Sequence, residues 1–146
     1  MMPAMAWPYF VLILLSLELA QCAMTEAQIK STQKLIKRSC KTKMKITNDD
    51  ELDGMLQGKW DNLSQASKCY LHCCLGMIKM INSDGYLDLE SGMAQATRLP
   101  PERRASAEKA MQTCVNAGAE LTDKCEIAYN ICKCVYDFDS KYYIIP

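Results

Sequence analysis

The stretch that decides the fold is KCYLHCCLGMIKMI, residues 68–81. It places three cysteines, Cys69, Cys73 and Cys74, in one short apolar segment. Because Cys69 and Cys73 are four residues apart, they would lie one above the other on the same face of an α-helix. Two stacked thiols can tie that helix to two other parts of the chain. The apolar end of the segment, residues 77–81, needs other residues to cover it.

The N-terminal residues 1–22 have the pattern of a secretory signal peptide. The run WPYFVLILLSLELA is apolar apart from one acid, and the small residues Ala20 and Ala23 flank an expected cleavage site near Cys22. This run is shorter than the roughly 20 residues that a membrane-spanning helix needs, which argues against a membrane anchor. We therefore expect a secreted mature chain over residues 23–146, without stable insertion in a membrane.

The mature chain combines a balanced charge with a high cysteine content. Removing Glu18 and Cys22 with the signal peptide leaves 16 of the 17 acidic side chains, all 17 basic ones and eight of the nine cysteines. This balance gives no electrostatic footprint for nucleic acid. Eight cysteines in a small secreted chain indicate a disulfide framework. Their connectivity stays open, since eight thiols allow about a hundred pairings.

Helix signals recur along the mature chain, and no segment shows the sustained period-two alternation of a strand. Thr25 and Gln28 form a capping box at the first of them. Ser64 or Ser67 can cap the helix that carries the cysteine-rich stretch. The predicted helices span residues 25–40, 48–58, 64–81, 88–96, 101–118 and 122–136, and a tail follows over residues 137–146.

Six of the mature cysteines have a characteristic spacing. The gaps are 28, three, 40, ten and eight residues, and they separate Cys40, Cys69, Cys73, Cys114, Cys125 and Cys134. Together with the signal peptide, the six helical segments and the tail, this pattern resembles the insect odorant-binding proteins of the pheromone- and general-odorant-binding family. The resemblance covers the whole mature chain, and the three- and eight-residue gaps with one of about 40 make it specific.

The resemblance implies a compact all-α domain of six helices that encloses an apolar cavity. It implies a carrier, not an enzyme, that takes small hydrophobic molecules such as odorants or pheromones through extracellular fluid to chemosensory receptors. Some members release their ligand on acidification, and Asp137 and Asp139 at the start of the tail suggest the same here. The disulfides carried over from the family are Cys40–Cys73, Cys69–Cys125 and Cys114–Cys134.

Cys74 and Cys132 depart from the family pattern. Cys132 follows Cys125 by seven residues, so both lie on one face of the last helix. If Cys69 is bonded to Cys125, Cys74 and Cys132 would be neighbours. A fourth disulfide, Cys74–Cys132, is one hypothesis, and the other is a pair of buried thiols that pack as small apolar residues.

Metal and catalytic chemistry would have to use His72, the single histidine of the chain. Zinc ligands are imaginable from His72 and the three cysteines around it. However, paired C-x2-C knuckles are missing, and a secreted setting favours disulfides. His72 has no adjacent Asp, and the glycine-rich calcium loop of secreted phospholipases is absent. We predict no metal, no cofactor and no catalytic residue, and a solvated His72.

Methionines on or beside apolar helix faces predict a deformable apolar pocket, with core packing as the alternative for each one. The resemblance places this pocket where helices three to six converge. A tyrosine hydroxyl on its wall can orient a ligand oxygen. The predicted ligand-binding residues are Met77, Met80, Met93, Met111, Val115, Tyr129, Val135, Tyr142 and Ile144.

Three further expectations concern the surface. Asn62 begins an N-glycosylation sequon, Asn62-Leu63-Ser64, in a predicted loop. A basic cluster at the end of the first helix is interpreted as a solvated helix end rather than a site for an anionic surface. A homodimer is a further expectation. The rival class is the saposin-like lipid-binding proteins that act on membranes, but their cysteines crowd toward both chain ends.

Overall fold

The computed structural model describes residues 23–146, and the predicted signal peptide lies outside the described residues. The β-type pairing found within these residues is one isolated antiparallel bridge between Ile81 and Leu87. The prediction of an all-α fold with six helices is confirmed. The helices are α1 Glu26–Met44, α2 Asp50–Leu56, α3 Gln65–Met77, α4 Leu89–Ala96, α5 Pro101–Cys114 and α6 Lys124–Phe138, followed by a 3-10 turn at Ser140–Tyr142.

The helices begin where the sequence has capping residues. Thr25 accepts a hydrogen bond from the Gln28 amide (3.2 Å), and the Gln28 side chain accepts one from the Thr25 amide (2.8 Å), so the predicted capping box is present. Ser64, Asp88 and Asp123 cap α3, α4 and α6 with their side-chain oxygens. Each cap satisfies backbone amides that have no partner within the helix.

Several helix ends differ from the predictions, although α4 ends at Ala96 as predicted. The helix α1 continues four residues past Cys40, and α3 stops at Met77 instead of reaching Ile81. At the end of α3, Lys79 adopts a left-handed conformation with φ 55°, and the Met80 amide donates to the Leu75 carbonyl (3.0 Å). This is a Schellman ending, which usually uses glycine. The chain beyond it therefore turns away, although its apolar pattern would continue the helix.

The core is centred on the packing of α3 against α6. Tyr70, Leu71 and Leu75 of α3 and Ile127 and Ile131 of α6 are each 0–1% exposed. Burying an apolar side chain of this size stabilises a fold by about 1.5–3 kcal/mol before entropy losses. The two helices, α3 and α6, therefore form the central frame of the fold.

Three disulfides reinforce this frame. One joins α1 to α3, one joins α3 to α6, and one joins α5 to α6. The helix α3 thus carries two of the three bonds through thiols four residues apart on one face. The bonds are Cys40–Cys73, Cys69–Cys125 and Cys114–Cys134, which are the pairs that the family resemblance implies.

Cys74 and Cys132 are free, buried thiols, so the hypothesis of a fourth disulfide is wrong for this structure. Both side chains are fully buried in the core. Burial raises the pKa of the Cys74 thiol to about 12 and also raises the pKa of Cys132, where the neighbouring Cys74 adds to the effect. A buried thiol of raised pKa stays neutral and is a poor nucleophile.

This chemistry predicts slow alkylation of Cys74 and Cys132 in the native protein. At mildly alkaline pH, iodoacetamide is expected to leave the native mature chain unlabelled, because little thiolate forms and the sulfurs are covered. Unfolding in denaturant without reductant should give two labels per chain, counted by intact mass spectrometry. Labelling of native and unfolded protein at equal rates would contradict the burial of the thiols. An absence of labels after unfolding would show that Cys74 and Cys132 form a disulfide.

Candidate ligand-binding site

A cavity of about 480 Å³ lies between α1, the end of α3, α4, α5 and the tail. Its wall is predominantly apolar, with side chains such as Ile36, Met80 and Met111. The volume falls within the roughly 300–1,000 Å³ of typical small-molecule sites. The arrangement suits a ligand of the size and polarity of a small lipid or a volatile hydrophobic compound.

Six of the nine predicted ligand-binding residues lie on the wall of this cavity. They come from three separate parts of the chain: the end of α3, the facing helices α5 and α6, and the tail. Met77 is 44% exposed and stands at the opening. The six are Met77, Met80, Met111, Val135, Tyr142 and Ile144.

The prediction for Tyr129 is corrected by the structure, since this residue is not on the wall. Its hydroxyl donates to the Trp60 carbonyl (3.0 Å), and its ring centroid lies 6.1 Å from that of Trp60. Tyr129 precedes Val135 by six residues, which corresponds to about 240° around the helix axis. The two side chains therefore leave α6 in different directions, and only Val135 reaches the cavity.

Met93 and Val115 are also outside the wall. Both are half-buried and pack against the core. Met93 follows Gly92, which does line the cavity, and Val115 caps the end of α5. These two residues therefore pack against the core, and the prediction that they belong to the ligand-binding wall is wrong.

Sequence reasoning missed the contribution of α1 to the wall. Ile29, Gln33 and Ile36 line the cavity, with spacings of four and three residues that place them on one face of the helix. The available signal was Gln33, a polar residue inside an otherwise apolar stripe. Its side chain is used to hold the tail.

The tail closes one side of the cavity. The Gln33 side-chain amide donates to the Ile144 carbonyl (2.8 Å), and the Tyr70 hydroxyl donates to the Pro146 backbone oxygen. Ile145 is 3% exposed and lines the same cavity. Two partly buried hydrogen bonds and one buried side chain thus hold the tail against the ligand site.

An aromatic cluster anchors the tail from the other side. The Tyr143 ring packs edge-on against Trp60 and Tyr136, with centroid separations of 5.9 and 5.4 Å. Burial raises the pKa of the Tyr143 hydroxyl, and the nearby Cys132 adds to this effect. Tyr142 and Ile144 line the cavity while Tyr143 packs against the cluster, so the tail contacts both the ligand site and the aromatic cluster.

At the start of the tail, Asp139 fixes the turn that leaves α6. The Ser106 hydroxyl donates to one carboxylate oxygen, and the Lys141 amide donates to the other (3.2 Å). Both Ser106 and Asp139 line the cavity. The neighbouring Asp137 is instead an exposed residue that pairs with Lys133 (2.6 Å).

The family model of the PBP/GOBP family matches residues 22–137. The chain belongs to this family. Odorant binding protein 4 of Chrysopa pallens is similar to it, with 33% identity over 84% of this chain and 99% of that one and a TM-score of 0.76. Odorant binding protein 5 of Apis mellifera has 25% identity over 85% and 99% of the two chains and a TM-score of 0.75.

A third solved structure shares the fold of this PBP/GOBP chain. It is an odorant binding protein of Locusta migratoria with 22% identity, covering 84% of this chain and 90% of that one, and a TM-score of 0.60. Family and fold therefore agree with the resemblance carried by the cysteine spacing. They give no support to the saposin-like alternative.

Two of the residues considered as zinc ligands, Cys69 and Cys73, have structural roles in this PBP/GOBP chain. Cys69 and Cys73 are bonded to other cysteines and are not free to bind a metal. Burial lowers the pKa of the half-buried His72, and Lys124 and Lys43 lower it further.

None of the helices found within residues 23–146 is both long enough and apolar enough to cross a bilayer.

Asn62 lies in the turn between α2 and α3. It is exposed and has a positive φ of 56°. Ser64, the third residue of the sequon, caps α3 and donates its hydroxyl to Glu51 (2.7 Å). Glycosylation of Asn62 stays a prediction.

Proposed function

We propose that the protein is a secreted, non-enzymatic carrier that binds small hydrophobic molecules, such as odorants or pheromones, and takes them through extracellular fluid to receptors. The observation that carries this proposal is the apolar cavity of about 480 Å³, which the tail closes on one side. Membership of the PBP/GOBP family supports it. The similarity to odorant binding proteins of Chrysopa pallens and Apis mellifera supports it further.

Binding would be driven by the removal of ligand surface from water. Each Å² of apolar area buried contributes about 25 cal/mol, less the cost of ordering the ligand and the side chains around it. Met77, Met80 and Met111 line the cavity, and their unbranched side chains adapt to different ligand shapes. We therefore expect a site that accepts a class of related molecules.

Displacement of an environment-sensitive fluorescent probe tests the carrier function. The oxidised mature chain should bind N-phenyl-1-naphthylamine saturably with one site per chain, and medium-chain apolar alcohols should displace it. A protein that acts by surface contact alone would give no saturable signal. A saposin-like protein would bind phospholipid vesicles in a sedimentation assay, which this proposal does not require.

Receptor contact and homodimerisation are further parts of the proposal. Leu56 and Phe138 are large apolar side chains that are 47% and 39% exposed, so each offers apolar surface for contact with another protein. Sedimentation velocity over a range of concentrations measures the oligomeric state. A sedimentation coefficient that does not change with concentration and fits one chain would exclude the dimer.

Release of the ligand at acid pH is a further part of the proposal, and detachment of the tail is the step that would open the cavity. The turn that begins the tail depends on Asp139, whose carboxylate accepts from the Ser106 hydroxyl and the Lys141 amide. Asp139→Asn replaces this charged acceptor by a neutral amide, so the tail should detach more readily and probe affinity at neutral pH should fall. Asp137→Asn is the matched control, since Asp137 pairs with Lys133 on the surface. Equal probe affinities of the wild type at neutral and mildly acid pH would contradict release at acid pH.

A further inference from the structure

We propose that the cavity prefers ligands with a carboxylate at one end, such as medium-chain fatty acids, over neutral or cationic molecules with the same hydrocarbon chain. This inference rests on the proposed carrier function and names the class of ligand within it. It follows from the charged side chains that surround the opening of the cavity.

Two cations belong to the wall of the cavity. Lys79, at the turn after α3, and Arg98, after α4, both line it and are exposed to solvent. Among residues 23–146, neither side chain is paired with a carboxylate, whereas the ion pairs of this part of the chain involve other lysines and Arg103. Their charges are therefore free to act on a ligand.

Asp139 is the acidic side chain of the cavity wall, and its carboxylate already accepts hydrogen bonds within the protein. Asp139 accepts hydrogen bonds from the Ser106 hydroxyl and the Lys141 amide, so its oxygens are used in holding the turn. The side-chain charges on the cavity wall without a partner among residues 23–146 are consequently those of Lys79 and Arg98, and the backbone oxygen of Pro146, which also lines the wall, accepts from the Tyr70 hydroxyl. A carboxylate at the opening meets two cations that have no other partner in the described structure.

The helix α1 extends this positive region beyond the wall. Leu35 lines the cavity and is 64% exposed, which places it at the opening. Its sequence neighbours on the helix surface, Lys34 and Arg38, are exposed and have no carboxylate partner among the described residues. A cluster of like charges beside a cleft raises the local concentration of ligands of opposite charge.

The division between apolar wall and basic opening matches an amphipathic anion. The hydrocarbon chain would occupy the interior, and the carboxylate would stay at the opening in contact with water. This placement avoids the large penalty of burying an ion. Because the cations are exposed, each is expected to contribute only about threefold in affinity, so that two together contribute roughly tenfold.

The test compares three ligands of equal chain length: dodecanoate, dodecanol and dodecylamine. In displacement of N-phenyl-1-naphthylamine at neutral pH and low salt, dodecanoate should bind most tightly and dodecylamine least. The double variant Lys79→Gln/Arg98→Gln should lose roughly tenfold in dodecanoate affinity and keep its dodecanol affinity. Added salt should reduce the advantage of dodecanoate in the wild type.

A control variant of equal charge is Lys59→Gln/Lys109→Gln, since both lysines are exposed and neither lines the cavity. It should leave the three affinities unchanged. Equal binding of dodecanoate and dodecanol by the wild type would overturn the inference, as would an equal loss of dodecanoate affinity in the control. Failure of all three ligands to displace the probe would instead overturn the carrier function.

Discussion

Replacing Cys69 and Cys125 together with alanine is expected to lower the free energy of unfolding by about 4 kcal/mol. This disulfide joins residues 56 apart in sequence, the longest separation of the three. Removing it frees the unfolded chain from its largest covalent loop and so raises the entropy of the unfolded state. Small domains have a total stability of only about 5–15 kcal/mol, so the loss is a large part of the whole.

The measurement is urea unfolding of the oxidised mature chain, followed by far-ultraviolet circular dichroism. The matched control is Cys74→Ala/Cys132→Ala, which removes two buried sulfurs without removing a cross-link. Loss of a small buried group costs on the order of 1 kcal/mol per site, so the control should lose about half as much stability. Equal losses in the two variants would show that packing, not the cross-link, accounts for the effect.

The two disulfides of α3 also affect the ligand site. Cys69 is held to α6 and Cys73 is held to α1, while Met77 at the end of the same helix lines the cavity. The Cys69–Cys125 bond fixes the start of α3 with respect to α6, and Val135 of α6 also lines the cavity. We expect the Cys69→Ala/Cys125→Ala variant to bind the fluorescent probe more weakly under conditions in which it remains folded.

The sequence predicted helix starts better than helix ends, and the reason is physical. Thr25, Asp88 and Asp123 cap their helices through hydrogen bonds to amides two or three residues away, so the signal is local. Lys45 and Lys79 end α1 and α3 in the left-handed conformation, which lysine seldom adopts. Local preference gives no warning of such endings, because the packing of the following chain imposes them.

The wall of the cavity was only partly predictable because an apolar pattern shows burial but not what a residue is buried against. Tyr129 and Val135 are both partly buried residues of α6, yet Tyr129 contacts Trp60 and Val135 lines the cavity. Met93 and Met111 are alike in sequence, and only Met111 reaches the wall. Empty space between helices depends on how all of them pack together, which no single helix encodes.

Filling the cavity should abolish most of the binding that the fold makes possible. Ala107 of α5 lines the cavity and is half-buried, so Ala107→Trp would project an indole into a space of about 480 Å³. A ligand would then have to displace the indole or bind with less contact. We expect the affinity for the fluorescent probe to fall at least about tenfold, equivalent to about 1.4 kcal/mol.

The matched control for this variant is Ala105→Trp, on the same helix two residues earlier. Ala105 is exposed and does not line the cavity, so the same change of side chain should leave probe affinity at the wild-type value. Filling a cavity often stabilises a fold, so the free energy of unfolding of Ala107→Trp should not fall greatly. Lost affinity with retained stability would assign binding to the interior, whereas wild-type affinity in Ala107→Trp would place the ligand on the surface.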